Sequence, residues 1–505
     1  MRSGSLLWLV VLAGCPGGNG GVGDRCSGNG DCGNTLQCVD QSCAPLCANA
    51  PQCGAGYSCD ANGYCQPATL AQGDACTSED SCAAGLSCEI ANETDMNGAL
   101  ISTCLPSSSG HPAGALCAQD SDCHNDLCEL GRCVDMCNVS RDCGDALACV
   151  QIPREAVGGV AFMGCLQADG LLAWSIPLTS PQQVVALPVP SNARSVALTM
   201  SVGDPEEEVG VVHLVGPDDG VLFDATEDLY TQAVRHVPAL GQSVLAMPSS
   251  TATKFGLGEY QMTISSLRPP FTDPVADVGD SVPQATAVFK LDSSVVLDLH
   301  FYFLNLDDFP CANGPGDADP AGTGFIGGTF DAEIAKSSDA FQTFVADLEQ
   351  VFASGGVSVE PMDYNDLREY PDLDGLDVTN AGELLALGTQ SDGINVFFVR
   401  SLSPAGLVAF GPNPGPAGLG GTPQSGVVIA LDSLCYRSWI QIAHVAEHEI
   451  AHYMGLYDNA TIDSTQLDPI GDDMSSTNLM FYSELGGSDL SDGQRTILGR
   501  STVLP

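Results

Sequence analysis

Positive charge is scarce in this chain. Sixteen lysines and arginines stand against 63 aspartates and glutamates in 505 residues, for a formal net charge of −47. Such a surface repels nucleic acid, and no basic groove offsets it, so nucleic-acid binding is excluded. Long apolar runs are also missing. Leu6 to Leu12 is too short to cross a bilayer as a helix, and no later segment does better. Cysteine is almost absent from the C-terminal two thirds: 21 of the 23 cysteines lie between Cys15 and Cys165, and only Cys311 and Cys435 lie beyond. In the rich stretch no two cysteines have C-x-x-C spacing, and only His111 and His124 could add imidazoles. That argues against zinc knuckles and dithiol redox motifs and for disulfides made in an oxidising compartment.

The N-terminus fits export. Met1-Arg2 is a short basic start, Leu6 to Leu12 is apolar, and Leu12-Ala13-Gly14-Cys15 resembles a bacterial lipobox, cut before the cysteine. Parity agrees: setting Cys15 aside for lipidation leaves 22 cysteines, an even number for pairing. The expectation is a signal peptide over 1–14 and a lipidated Cys15 with a Gly-rich tether over 15–25. The protein would then be an outer-membrane lipoprotein on the surface of a Gram-negative cell, touching the membrane only through its lipid.

Cysteines then recur in five sets of four across 26–165, beginning at Cys26, Cys47, Cys76, Cys117 and Cys137. Units of roughly 20 to 30 residues cannot each bury a useful core, so bridges must staple them. They resemble the EGF- or dickkopf-like repeats of surface proteins. Spacing alone leaves their connectivity open. A stiff stalk is favoured over a binding array, because no aromatic or charged cluster repeats with the cysteines.

Residues 171–268 alternate apolar and polar positions at Ser195–Val202, Val209–Val215, Ser243–Met247 and Tyr260–Ile264, with turn-rich stretches between. This predicts an antiparallel β-sandwich, followed by a linker. Residues 280–505 mix strands (Val295–Phe303, Val357–Pro361, Ile394–Val399, Val427–Leu431) with helices over Phe330–Phe352 and Ile440–Met454. The predicted fold class is multidomain: disulfide-rich repeats, a β-sandwich, then an α+β domain.

The chemistry lies in His448-Glu449-Ile450-Ala451-His452-Tyr453-Met454-Gly455-Leu456-Tyr457-Asp458. Helical residues four apart share a face, so His448 and His452 can grip one ion. Glu449 sits one step round, placed to take a proton from the attacking water. Gly455 allows a sharp turn after the helix, which can return Asp458 as a third ligand. Three protein ligands leave one position open, as catalytic zinc requires. Downstream, Ser476-Thr477-Asn478-Leu479-Met480-Phe481-Tyr482 looks like a Met-turn, and Ser488 to Gln494 like the start of a closing helix.

Together these motifs resemble the metzincin clan of zinc peptidases, over roughly 280–505. The resemblance implies Met480 beneath the metal ligands, Tyr482 contacting the metal or the oxyanion, and a protein or peptide substrate. Asp458 stands where most of the clan has histidine; a minority, including snapalysin-like enzymes, has aspartate.

Other residues have blander readings. His444, one turn before His448, is expected to be core or supporting. It also creates an inverted H-x-x-E-H motif, set aside because that reading leaves Gly455 and Met480 unexplained. Cys311 and Cys435 are expected to pair. The acidic run Asp363, Asp366, Asp372, Asp374 and Asp377 lacks EF-hand spacing, so a solvated loop is favoured over Ca2+. The expected function is a surface-tethered zinc endopeptidase. The alternative is a non-catalytic adhesion lipoprotein on a peptidase-like scaffold, against which retention of Glu449 speaks.

Overall fold

The computed structural model describes residues 36–39, 42–45, 57–59, 65–67, 69–77, 82–96, 98–138, 142–143, 147–154, 160–167, 170–228, 232–269, 273–274, 276–304, 330–388, 390, 393–411, 425–460, 467–470, 475–481 and 487–504. Cys15, Cys311 and Tyr482 lie outside the described residues, as does the expected leader and tether. The chain forms two compact units, 1–151 with 162–167, and 152–161 with 168–505.

The first unit is disulfide-rich and built on short hairpins. Leu36–Val39 pairs with Ser42–Pro45, Tyr57–Cys59 with Cys65–Pro67, Leu86–Thr94 with Leu100–Pro106, and Cys128–Glu129 with Arg132–Cys133. In each hairpin the third and fourth cysteines of a set sit opposite one another: Cys38 and Cys43, Cys59 and Cys65, Cys88 and Cys104, Cys128 and Cys133. In the last three sets the bridges run instead to earlier cysteines: Cys76–Cys88 with Cys82–Cys104, Cys117–Cys128 with Cys123–Cys133, and Cys137–Cys149 with Cys143–Cys165. First joins third and second joins fourth, so two bridges clamp each hairpin onto the loop before it. Spacing left this connectivity undecided.

The second unit begins with two antiparallel sheets. One orders Leu171–Ile176, Gln284–Lys290, Ser195–Ser201 and Gln242–Met247. The other orders Gln182–Val189, Gly258–Leu267, Glu208–Val215 and Val221–Asp224, with Ala239–Leu240 also on Glu208–Val215. Their buried faces carry Leu172, Val196, Leu198, Leu245 and Phe289 from one sheet and Leu187, Val211, Leu214, Met262 and Ile264 from the other. The strand Gln284–Lys290 lies beyond both 268 and 280, yet pairs on both sides within the sandwich. That boundary therefore moves: the strand's partners are some of the earliest in the sandwich, and no local pattern announces so distant a pairing.

Next comes a five-stranded sheet in the order Ser358–Asp366, Val296–Phe303, Ile394–Val399, Val427–Ala430, Ala409–Phe410. The first four run parallel and the short last strand runs antiparallel. Ile394–Val399 is buried at every position, as a central parallel strand covered on both faces should be. Alternation divides its neighbours: Leu299, Phe301 and Phe303 face one apolar cluster, Tyr302 and Leu304 the other.

Among the described residues, five α-helices flank the sheet: α1 Ala332–Ser337, α2 Asp339–Ser354, α3 Ala381–Leu385, α4 Trp439–Tyr453 and α5 Asp492–Leu498. The single helix expected over 330–352 is two. Ser338 takes an extended conformation and its Oγ accepts from the Phe341 amide, capping α2 while ending α1. Phe341 and Phe344 of α2 meet Trp439 of α4 edge-on, at ring centroids of 5.2 and 5.8 Å. Phe303 stacks on Phe398 at 5.0 Å.

Sandwich and mixed sheet share interactions. Val244 of the sandwich belongs to the apolar cluster that contains Phe301 and Ile442. Fully buried Lys290 donates to the Leu504 carbonyl at 2.6 Å, and Ser195 Oγ donates to the Arg500 carbonyl.

Candidate metal centre

Helix α4 starts at a capping box. Ser438 Oγ accepts from the Gln441 amide and the Gln441 side chain accepts from the Ser438 amide. Ile442, Ala443, Ala446, Ile450 and Ala451 bury one stripe of the helix in the apolar cluster. The helix ends as Gly455 adopts φ +109°, a conformation that disfavours any side chain. Two reversing bonds close the turn: the Gly455 amide donates to His452 O at 3.0 Å and the Leu456 amide to Ala451 O at 3.0 Å.

That turn delivers Asp458 to the two histidines. Asp458 Oδ1 lies 3.3 Å from His448 Nε2 and 3.5 Å from His452 Nε2. The imidazoles meet edge-on, with centroids 4.5 Å apart. The far nitrogens are committed elsewhere. His448 Nδ1 is 2.8 Å from Leu479 O, and His452 Nδ1 is 2.9 Å from Leu456 O. A carbonyl only accepts, so each Nδ1 carries the proton and each neutral ring presents a bare Nε2 lone pair inward.

Asp458 Oδ1 is itself buried with no hydrogen-bond donor. With both rings neutral, three acceptor atoms face one point, an arrangement that a bound cation, or a proton on one Nε2, resolves. Two imidazole nitrogens and a carboxylate oxygen suit Zn2+, and outer carbonyls that fix the tautomers are what zinc-binding histidines use. The electrostatics carry the same pull. Burial pushes the Asp458 carboxyl up, but His448 and His452 outweigh it and hold the group well below the usual carboxylate range. Burial opposes charge on His448, yet Asp458, Glu449 and the Leu479 carbonyl together raise its pKa.

The segment around Met480 is tied to this cluster. Met480 is fully buried, and its carbonyl accepts from the amide of Asn459, next to Asp458, at 2.7 Å. Its amide donates to Asn478 Oδ1 at 2.8 Å. Asn478 in turn exchanges two side-chain bonds with Gln494 of α5, at 2.9 and 3.0 Å.

Of the residues singled out in the sequence, His448, His452 and Asp458 are brought together, with Gly455 at the turn. His444 is not part of the group; its Nε2 lies 3.2 Å from Asp347 Oδ2 on α2. Cys435 is disulfide-bonded, and its expected partner Cys311 is outside the described residues. The acidic run is dispersed among separate partners. Asp363 meets His300, Asp374 meets Arg400, Asp366 accepts from the Ala332 amide, and Asp377 accepts from Thr379. Among the described residues these carboxylates are not grouped closely enough to share an ion.

Of two further contributors, the sequence marks Gly411 only as the start of a Gly- and Pro-rich rim (411–421) beside the cleft, and Arg235 not at all. Gly411 follows the edge strand Ala409–Phe410, and a Cβ there would lie 2.8 Å from Glu449 Oε2, so glycine leaves the space that carboxylate occupies. Arg235, from the sandwich, places its guanidinium 4.4 Å over the ring of Tyr457, whose hydroxyl donates to the Arg235 carbonyl. The residue beside Asp458 is thereby held by the sandwich. No spacing rule could signal either contact.

No protein-family model matches the chain, and no curated protein does.

Proposed function

We propose that this chain is a zinc-dependent endopeptidase that hydrolyses extracellular protein, with an α+β catalytic domain of metzincin type. The observation that carries the reading is the convergence of His448 Nε2, His452 Nε2 and Asp458 Oδ1, with both Nδ1 protons spent on backbone carbonyls. His448, His452 and Asp458 would hold the ion, which when bound supplies Lewis acidity toward the scissile carbonyl and acidifies the attacking water.

The protein's own part is proton handling and placement. Glu449 takes the proton of the attacking water and passes it to the leaving amine. Gly411 keeps the space beside the Glu449 carboxylate clear. The Asn478–Gln494 pair fixes the turn that carries Leu479 and Met480, and so the orientation of His448. Tyr482 is assigned to the oxyanion side of the cleft by its place in the motif alone. Export, the lipid at Cys15 and a stalk-like role for the bridged repeats complete the reading: a peptidase held at the outer surface of a Gram-negative cell.

The test is casein or gelatin cleavage by the purified full-length protein. Cleavage should stop with a chelator, return with Zn2+, and be absent in Glu449→Ala although that variant still binds metal. A zinc-loaded wild type that cleaves nothing would overturn the proposal in favour of a binding protein on a peptidase-like scaffold.

A further inference from the structure

A second group of metal-competent side chains lies outside the centre described above. Asp347 of α2 and His444 and Glu447 of α4 each direct one ligand atom into a common space, all within 4.8 Å of one another. Glu447 has no exposed surface, and neither of its carboxylate oxygens has a hydrogen-bond partner. Asp347 Oδ2 is likewise buried without one, since His444 Nε2, though 3.2 Å away, is not aligned as a donor. Among the described residues, neither carboxylate meets a lysine or arginine.

A fully buried carboxylate with both oxygens unpaired is expensive, and a second carboxylate facing it makes the arrangement worse. It persists on two helices that are otherwise packed by aromatic rings, Phe341 and Phe344 against Trp439. A bound cation removes the conflict. One imidazole and two carboxylates make a donor set for a divalent transition ion, with solvent completing the shell from the side where His444 and Asp347 are partly exposed. His444 and His448 are one turn apart on α4, about 6 Å along its axis, so the two groups do not compete for one ion.

We propose that Asp347, His444 and Glu447 form a second divalent-metal site, separate from His448, His452 and Asp458, that ties the active-site helix to α2. The proposal does not depend on peptidase activity. In a binding protein on the same scaffold the site would stand unchanged.

Metal counting on the full-length protein tests it. The protein is equilibrated with Zn2+, freed of loosely held ions, and measured by elemental analysis and native mass spectrometry. The expected count is two ions per chain, falling to one in His452→Ala, to one in either Asp347→Asn or His444→Ala, and to none in Asp347→Asn/His452→Ala. Both second-site positions are partly exposed, so these variants should fold. As a further measurement, added Zn2+ should raise the thermal midpoint of His452→Ala but not of His444→Ala/His452→Ala. A wild-type count of one that vanishes in His452→Ala would overturn the proposal, leaving Glu447 protonated and shared with Asp347. A count of two untouched by Asp347→Asn and His444→Ala would overturn it equally.

Discussion

In the bridged region, many of the side chains most removed from water are cysteines: Cys43, Cys88, Cys104, Cys123 and Cys133 are fully buried. In residues 168–505 that place is taken by Phe289, Phe301, Phe330, Phe341, Phe344 and Phe397, also fully buried. The difference follows from size. A set of four cysteines spans too few residues to remove much apolar area from water, so covalent links restrict the unfolded chain instead. The longer unit can enclose a sheet on both faces, and fully buried ionisable side chains such as Lys290 and Glu447 lie there. Polar machinery is found where a surrounding apolar core supports it.

The comparison can be broken by variants. The largest effect is expected in the aromatic core: Phe341→Ala should cost about 3–5 kcal/mol of stability in the C-terminal unit. A loss below 1 kcal/mol in chemical denaturation would show that the rings are not what holds this unit.

Acid should act on the same unit. His236 is buried, with Nδ1 facing Val244 O and Nε2 accepting from the Val211 amide, and burial lowers its pKa to about 4. The unfolded chain therefore binds the proton first as pH falls. The stability this neutral ring confers is complete above about 6.5 and drains away towards 4, by up to about 3 kcal/mol. Denaturation midpoints across that window should slope downward with acid, and His236→Gln should flatten the slope. An equal slope in the variant would assign the acid sensitivity elsewhere.

Replacing both Cys76 and Cys88 by alanine should destabilise their unit by about 3 kcal/mol, with cleavage unaffected. Peptide mapping of the oxidised protein sharpens the point. In the last three sets it should return 76–88, 82–104, 117–128, 123–133, 137–149 and 143–165. Any link between two of these sets would end the repeat rule. The smallest effect is expected at Gly411→Ala, which should lower kcat about 10- to 100-fold by displacing Glu449 while leaving the thermal midpoint in place; an unchanged kcat would remove Gly411 from the site.

What was legible in the sequence was local. The predicted helix over 440–454 is found at Trp439–Tyr453, because its capping box, buried stripe and terminal glycine all lie within it. Gly455 and the return of Asp458 were readable for the same reason. The break at Ser338 was hidden because apolar spacing continues across it while the serine cap acts through the backbone. Contacts made across the fold left no trace in spacing: Gln284–Lys290 completing the sandwich, Gly411 beside Glu449, and Asp347 reaching His444 from another helix.

The stacking of Arg235 on Tyr457 has a consequence for how such a chain can change over generations. A segment that contributes nothing to the His448–His452–Asp458 cluster supports the turn that carries Asp458, so the two halves of the second unit are not interchangeable cassettes. Shuffling a foreign sandwich onto the mixed-sheet half would preserve every signature residue and still loosen the turn that brings Asp458 to the two histidines, a defect that a motif search would never flag.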